Sequence, residues 1–170
     1  HDNEVLDIAF SQHEEHIFIS AGADGSIRQF DLRCLEHSTI LYECKEKSPF
    51  TRVSWNSTNK DQFASISDKK MIIYVVNITG ADKKKRELKA HSSTVNAFSW
   101  APTDQSTICT VGEDGYAYIW DLDRDMEKDG KIGPYLQYNA GRPIRNVSWS
   151  KSNSKWIGIV YDKKLKLLNL

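Results

Sequence analysis

One pattern of residues occurs four times along this 170-residue chain and constrains its fold more than any other feature. Each copy begins with a short apolar segment that ends in an aromatic residue: 5–10, 50–55, 95–100 and 144–149. These aromatic residues are spaced 45, 45 and 49 residues apart. An Asp in a predicted turn follows in every copy: Asp24, Asp68, Asp114 and Asp162. A shared period of this length indicates a protein assembled from repeated structural units.

The composition of each repeat favours β-strands. Its apolar segments are short, rich in β-branched and aromatic residues, and separated by polar turns. Asp24-Gly25 and Asp114-Gly115 suit tight hairpins, because Gly accepts positive φ and an Asp side chain can bond to the backbone. A fourth, more polar strand is predicted in three repeats, at 39–42, 86–89 and 134–138. We therefore predict an all-β chain with repeats at approximately 1–44, 45–89, 90–139 and 140–170.

Four antiparallel strands per 40 to 50 residues, ending in Trp-Asp, are typical of a propeller blade, and the chain resembles the WD-repeat (WD40) family. The third repeat carries the fullest match, with Ala90-His91, Asp114-Gly115 and Trp120-Asp121. The resemblance implies a β-propeller of four WD-repeat blades, each of four antiparallel strands. It also implies that residues 1–170 form one partial propeller domain of a seven-blade ring.

An open set of four blades would expose apolar sheet faces and unpaired edges. We therefore expect preceding blades from the same polypeptide, with an N-terminal strand completing the last blade. A less favoured alternative is a second copy of the chain, giving a closed eight-blade assembly.

The family resemblance also implies a set of structural residues. Members carry a buried, hydrogen-bonded tetrad of His, Ser or Thr, the turn Asp and Trp. Carried over, these are His91, Thr110, Asp114 and Trp120. The first repeat has a partial set, His1, Ser20 and Asp24, with Phe30 in place of Trp. The second and fourth repeats have no His at that position, so we expect them to be weaker or held by packing alone.

Residues 22–33 and 35–40 resemble one subfamily more particularly. It comprises the plant transparent-testa-glabra regulator and its animal counterpart, a cullin-ligase-associated factor that scaffolds dual-specificity tyrosine-regulated kinases. The chain departs from this subfamily at 68–70 and in the lysine-rich loop at 83–86. The resemblance further suggests that Leu170 lies at or near the natural C-terminus.

Composition argues against several kinds of partner. The 23 Lys and Arg are balanced by 23 Asp and Glu, whereas phosphate-neutralising proteins usually carry a basic excess. No apolar run reaches membrane-helix length, and the first residues have no signal-peptide core. The three Cys and five His show no metal-ligand spacing. We expect no nucleic acid, membrane, metal or cofactor, and a cytoplasmic or nuclear location.

These observations favour a non-catalytic scaffold that brings a kinase, transcription factors or both into one complex. A propeller hydrolase, the alternative from another class, needs carboxylates converging on the inner strands, where Asp7 stands alone. We expect no enzyme activity. The predicted partner surface has one residue at the start of each inner strand: Leu6, Thr51, Asn96 and Arg145.

A substrate receptor of a cullin ubiquitin ligase is a second binding hypothesis. Such receptors often carry Trp-Asp-x-Arg at the end of a third strand, and Phe30-Asp31-Leu32-Arg33 is a near match. On this hypothesis Arg33 would pair with acidic groups of a ligase adaptor through its planar guanidinium.

Overall fold

A computed structural model describes residues 1–67, 72–79, 85–124 and 133–170. Within these ranges the regular structure consists of fifteen strands in four antiparallel sheets, with no helix. Accordingly, no segment of the described residues forms a helix that could cross a membrane. The prediction of an all-β chain with one antiparallel sheet per repeat is confirmed.

The sheets follow one another along the chain, and within each the strands are in sequence order. The first sheet contains β1 (Val5–Phe10), β2 (Ile17–Gly22), β3 (Ser26–Asp31) and β4 (Cys34–Glu43). The second contains β5 (Phe50–Trp55), β6 (Gln62–Ser67), β7 (Ile72–Asn77) and β8 (Lys85–Leu88). The third contains β9 (Val95–Trp100), β10 (Thr107–Gly112), β11 (Tyr116–Asp121) and β12 (Leu136–Asn139). The fourth contains β13 (Ile144–Trp149), β14 (Trp156–Tyr161) and β15 (Lys164–Asn169).

The fourth sheet has three strands, one fewer than each of the other three sheets. Inner-strand bounds agree with the predicted apolar segments. The outer strands agree less well, and β4 is ten residues long where four were predicted. Most of β4 is exposed, so its sequence lacks the alternation of apolar and polar residues that reveals a half-buried strand. The predicted turn residue Asp68 lies outside the described residues.

Each inner strand contains a β-bulge at its second residue. The pairing register shifts between Val5 and Asp7 in β1 and at the equivalent place in the other inner strands. In β5 the extra residue is Thr51, so Phe50, Val53 and Trp55 all face the core despite their uneven spacing. Side chains alternate between faces with a period of two, and one extra residue resets that alternation.

The chain forms two compact units, His1–Glu87 and Leu88–Leu170, here called the N-terminal and C-terminal units. In the N-terminal unit, the second sheet buries aromatic and aliphatic residues against the first, including Phe50 and Phe63 at 0 % exposure. In the C-terminal unit, Ile144 and Trp149 of β13 pack with Val111 and Ile119 of the third sheet. That the chain is a single domain stays a prediction.

The first sheet also has an apolar face that no described residue covers. Val5, Ile8 and Phe10 are 53 %, 54 % and 55 % exposed, whereas the equivalent residues of β5 are almost completely buried. Three Phe rings pack across this face: Phe18 stacks on Phe30 with centroids 5.1 Å apart, and Phe10 lies tilted against Phe18 at 5.4 Å.

The hairpins between second and third strands turn at glycines in the first and third repeats. Gly25 and Gly115 have φ of 76° and 80°, a region that side chains with a Cβ disfavour. The fourth repeat has a shorter loop of two residues, Asp162 and Lys163, in which Asp162 has a φ of 51°. Asp tolerates this left-handed conformation better than most residues.

We predict that Gly115→Ala destabilises the protein by about 1–2 kcal/mol, because the turn requires positive φ and a residue with a Cβ disfavours it. It would also lie 3.1 Å from the carbonyl oxygen of Arg142. Gly158→Ala is the matched control, since the nearest atom to its Cβ would be 3.7 Å away. Urea denaturation followed by tryptophan fluorescence measures both; equal losses for the two variants would contradict this account of the turn.

Candidate functional site

The structure brings the four predicted tetrad residues of the third repeat into one chain of hydrogen bonds. Trp120 Nε1 donates to Thr110 Oγ1 at 2.9 Å. Thr110 Oγ1 lies 2.9 Å from His91 Nε2, and His91 Nδ1 lies 2.9 Å from Asp114 Oδ2. Thr110 and Trp120 are fully buried, and the His91 and Asp114 side chains are 2–3 % exposed.

A neutral His91 satisfies this whole chain. With the ring proton on Nδ1, His91 donates to Asp114, and its Nε2 accepts from the Thr110 hydroxyl, which itself accepts from Trp120. Burial lowers the pKa of His91 below its ordinary value of 6.5, and the Asp114 carboxylate only partly opposes this. The network therefore holds strands β10 and β11 to the segment that precedes β9.

The first repeat has a similar but incomplete set. His1 Nδ1 lies 3.0 Å from Asp24 Oδ2, and His1 Nε2 lies 2.6 Å from Ser20 Oγ. Phe30 cannot donate to Ser20 as Trp120 donates to Thr110, and its ring stacks on Phe18 instead. Burial opposes the ionisation of Asp24, but hydrogen bonds from the Asp2 and Ser26 amides and the Ser26 hydroxyl outweigh it and lower its pKa.

All four predicted partner-surface residues are the extra residues of the inner-strand bulges. We call Leu6, Thr51, Asn96 and Arg145 the bulge residues. Leu6 is 41 % exposed, the Arg145 side chain is 65 % exposed, and Thr51 and Asn96 are half-buried. A bulge takes a residue out of the hydrogen-bond ladder and redirects its side chain. The geometry of the inner strands therefore determines the direction of the four bulge side chains.

Glu113, which sequence reasoning missed, connects the two bulge residues of the C-terminal unit. Its Oε1 accepts from Asn96 Nδ2 at 2.9 Å and also from Arg145 Nη1. Asn96 Nδ2 further donates to the Ile144 carbonyl at 2.7 Å. Repetition gave no signal for this residue, because the position before the turn Asp is Glu in the third repeat but Ala23 in the first.

Asp7, the lone carboxylate of the inner strands, has a structural environment. Its Oδ2 accepts from the Val53 amide at 2.9 Å and its Oδ1 from the Ile8 amide at 3.0 Å. Asp7 thereby ties β1 to the inner strand of the next sheet. The described residues contain no group of three or more His, Cys, Asp or Glu placed to hold a metal ion.

Arg33, the predicted ligase-adaptor contact, lies at the hairpin after β3. Its Nε and Nη2 donate to the two Asp31 carboxylate oxygens at 2.9 and 2.6 Å, and its side chain is 68 % exposed. Hydrogen bonds from Arg33 lower the pKa of Asp31 to about 2. The adjacent Leu32 and Leu35 are 44 % and 56 % exposed.

The lysine-rich loop lies partly outside the described residues, but Lys85 begins β8. Its Nζ lies 4.8 Å from the Tyr74 ring centroid and 2.8 Å from a Glu87 oxygen. Although burial opposes its charge, hydrogen bonds to Glu87 and Tyr42 raise the pKa of Lys85. The Lys85 ammonium group therefore contacts Tyr and Glu side chains of its own sheet and of β4, within the N-terminal unit.

Comparison with known families finds one matching model, described as WD domain, G-beta repeat. It matches residues 1–31 and 82–121. These segments contain the two repeats in which a His is hydrogen-bonded to the turn Asp.

Several known proteins are similar to the chain. A DDB1- and CUL4-associated factor 7 homolog from Dictyostelium discoideum is 42 % identical over 170 residues, covering 100 % of this chain and 51 % of the relative. An uncharacterized WD repeat-containing protein from Schizosaccharomyces pombe is 26 % identical over 227 residues, covering 100 % and 52 %. Methylosome protein WDR77 from Xenopus laevis is 26 % identical over 166 residues, covering 97 % and 47 %. The chain spans about half the length of these relatives.

We predict that Thr110→Val destabilises the protein by about 2–4 kcal/mol, because the buried Trp120 and His91 each lose a partner while shape is kept. Thr107→Val in the same strand is the control. Thr107 is only half-buried and its hydroxyl bonds to Asp104, so its loss should cost under about 1 kcal/mol. Chemical denaturation measures the unfolding free energy of both variants. A loss of stability for Thr110→Val no larger than that for Thr107→Val would refute the stabilising role of the hydrogen-bond network.

We also predict that stability falls as the pH drops below about 6.5. The folded pKa of His91 lies below the unfolded value of 6.5, so the unfolded chain binds the extra proton in this range. The slope from this residue should not exceed about 1.4 kcal/mol per pH unit. His91→Asn should reduce the slope of the unfolding free energy against pH, measured by denaturation at several pH values. An unchanged slope in the variant would show that other titratable groups cause the pH dependence.

Proposed function

We propose that the chain acts as a non-catalytic WD-repeat scaffold, binding other proteins through its bulge residues. Its match to the WD domain, G-beta repeat model and its four antiparallel sheets support this proposal. One observation carries this proposal: in every repeat the residue expelled from the inner strand is the residue predicted to meet partners. Each bulge residue is held in place because the inner strand pairs with the second strand of its sheet both before and after the bulge. A binding residue on a rigid strand loses little conformational entropy when a partner docks.

The chemistry of the bulge residues suits protein recognition. They combine an apolar side chain, a hydroxyl, an amide and a guanidinium, the mixture that protein interfaces use. The inner-strand carboxylate Asp7 is already occupied by backbone amides, which disfavours a hydrolase.

The partners we propose are a kinase, transcription factors or both, in the cytoplasm or the nucleus. Support for these partners comes from the subfamily resemblance of residues 22–33 and 35–40. A scaffold of this kind works by holding two proteins near each other, which raises their effective concentration.

A substrate receptor for a cullin ligase is a second candidate. The Dictyostelium relative is named for association with DDB1 and CUL4, and Arg33 is an exposed cation flanked by exposed leucines. An exposed Arg beside apolar side chains is a composition typical of binding hot spots. In this role Arg33 would exchange part of its pairing with Asp31 for acidic groups of the adaptor.

Affinity capture from cell extract with the full-length protein, followed by mass spectrometry, separates the two candidates. We expect Asn96→Ala combined with Arg145→Ala to lose kinases or transcription factors that wild type and Arg33→Ala retain. Arg124→Ala is the matched control, since Arg124 also follows a third strand and pairs with its Asp, at 3.4 Å from Asp121.

Two other outcomes would change the assignment. Ligase adaptor subunits bound by wild type and Arg124→Ala, but not by Arg33→Ala, would establish the receptor role. Unchanged capture of every partner by the double bulge variant would contradict the scaffold proposal.

A further inference from the structure

An open depression lies beside the bulge residue Arg145 in the C-terminal unit. It has a volume of about 400 Å³ and is lined by Arg142, Pro143, Arg145 and Asp162. Arg142, Arg145 and Asp162 are all exposed, so the depression is accessible to a side chain from another protein.

The walls of this depression are positioned by the fold. The Arg142 backbone packs on the Gly115 turn, where even a Cβ would lie 3.1 Å from its carbonyl oxygen. The Ala140 amide also donates to the Gly115 carbonyl at 2.9 Å. Arg145 is placed by its bulge, and Pro143 restricts the backbone between the two arginines. The backbone positions of two arginines are thus fixed beside one site.

Much of the hydrogen-bonding capacity of these arginines is unused. Glu113 accepts from Nη1 of Arg145, which leaves the Nε and Nη2 edge of that guanidinium without a partner among the described residues. Arg142 forms no ion pair within the part of the chain that the structure describes. A guanidinium edge with two parallel N–H groups matches the two oxygens of a carboxylate.

We propose that this depression binds the carboxylate of an Asp or Glu side chain in an acidic segment of a partner protein, an inference that rests on the proposed scaffold function. Glu113 holds Nη1 of Arg145, a residue that lines the depression, and leaves the Nε and Nη2 edge available. Asp162 and Glu113 together offset the formal charges of the two arginines, which favours a singly charged carboxylate over a doubly charged phosphate.

Fluorescence anisotropy of the full-length protein with a labelled hexaglutamate peptide tests this inference, with hexaglutamine as the comparison probe. Arg145→Gln and Arg142→Gln should each weaken hexaglutamate binding by about threefold, the effect expected for losing an exposed ion pair. Asp162→Asn should strengthen it by about threefold, because a like charge is removed. Asn also tolerates the φ of 51° at this position.

Lys151→Gln is the matched control, because it removes one exposed positive charge beyond the other end of β13. A loss for Lys151→Gln equal to that for Arg145→Gln would overturn the site in favour of general charge attraction. Equal binding of hexaglutamate and hexaglutamine would overturn it as well. Circular dichroism of each variant checks that the fold is retained.

The same variants separate this inference from the scaffold proposal. If Asn96→Ala abolishes partner capture while Arg145→Gln and Arg142→Gln change neither capture nor hexaglutamate binding, the scaffold stands and carboxylate recognition fails. If no bulge variant changes partner capture, the scaffold proposal fails, whatever the peptide shows.

Discussion

The extra residue at the second position of each inner strand determines which side chains face the core and which face solvent. Without it, the period-two alternation would place Phe50 and Val53 on opposite faces of β5. With it, both are buried with Trp55, and Thr51 leaves the ladder. The same shift buries Ile144 and Val147 around Arg145. A single irregularity therefore creates both the packing between sheets and the residues available to partners.

The polar interior of the third repeat depends on a second constraint, that every buried donor must find an acceptor. A neutral His91 meets it, because its two ring nitrogens serve as donor and acceptor in one chain from Trp120 to Asp114. Protonation would give the ring two donors and leave the Thr110 hydroxyl without its acceptor. The first repeat accommodates Phe30 by stacking aromatic rings, so its hydrogen bonds involve three side chains of the set instead of four.

Much of the candidate site was predictable from the sequence, because repetition gives each position a counterpart. The equal offsets of His1 to Asp24 and His91 to Asp114 indicated the same pairing twice, and both pairs lie within hydrogen-bonding distance. Glu113 had no such counterpart, since Ala23 occupies the equivalent place. Its bonds to Asn96 and Arg145 join side chains 17 and 32 residues away, and no spacing along the chain indicates such contacts.

The sequence by itself determined the strand content, the inner-strand bounds and the four-fold repetition, because local patterns of apolar residues, turn glycines and aspartates suffice for these. Only the tertiary structure decided that the predicted partner residues are bulges, since a register shift is defined by the neighbouring strand and not by the strand itself. It also decided that Asp7 serves the next sheet, and that Arg142 and Arg145 share a depression with Asp162. Those relations depend on distances through space, which the packing of strands establishes between residues far apart in the chain.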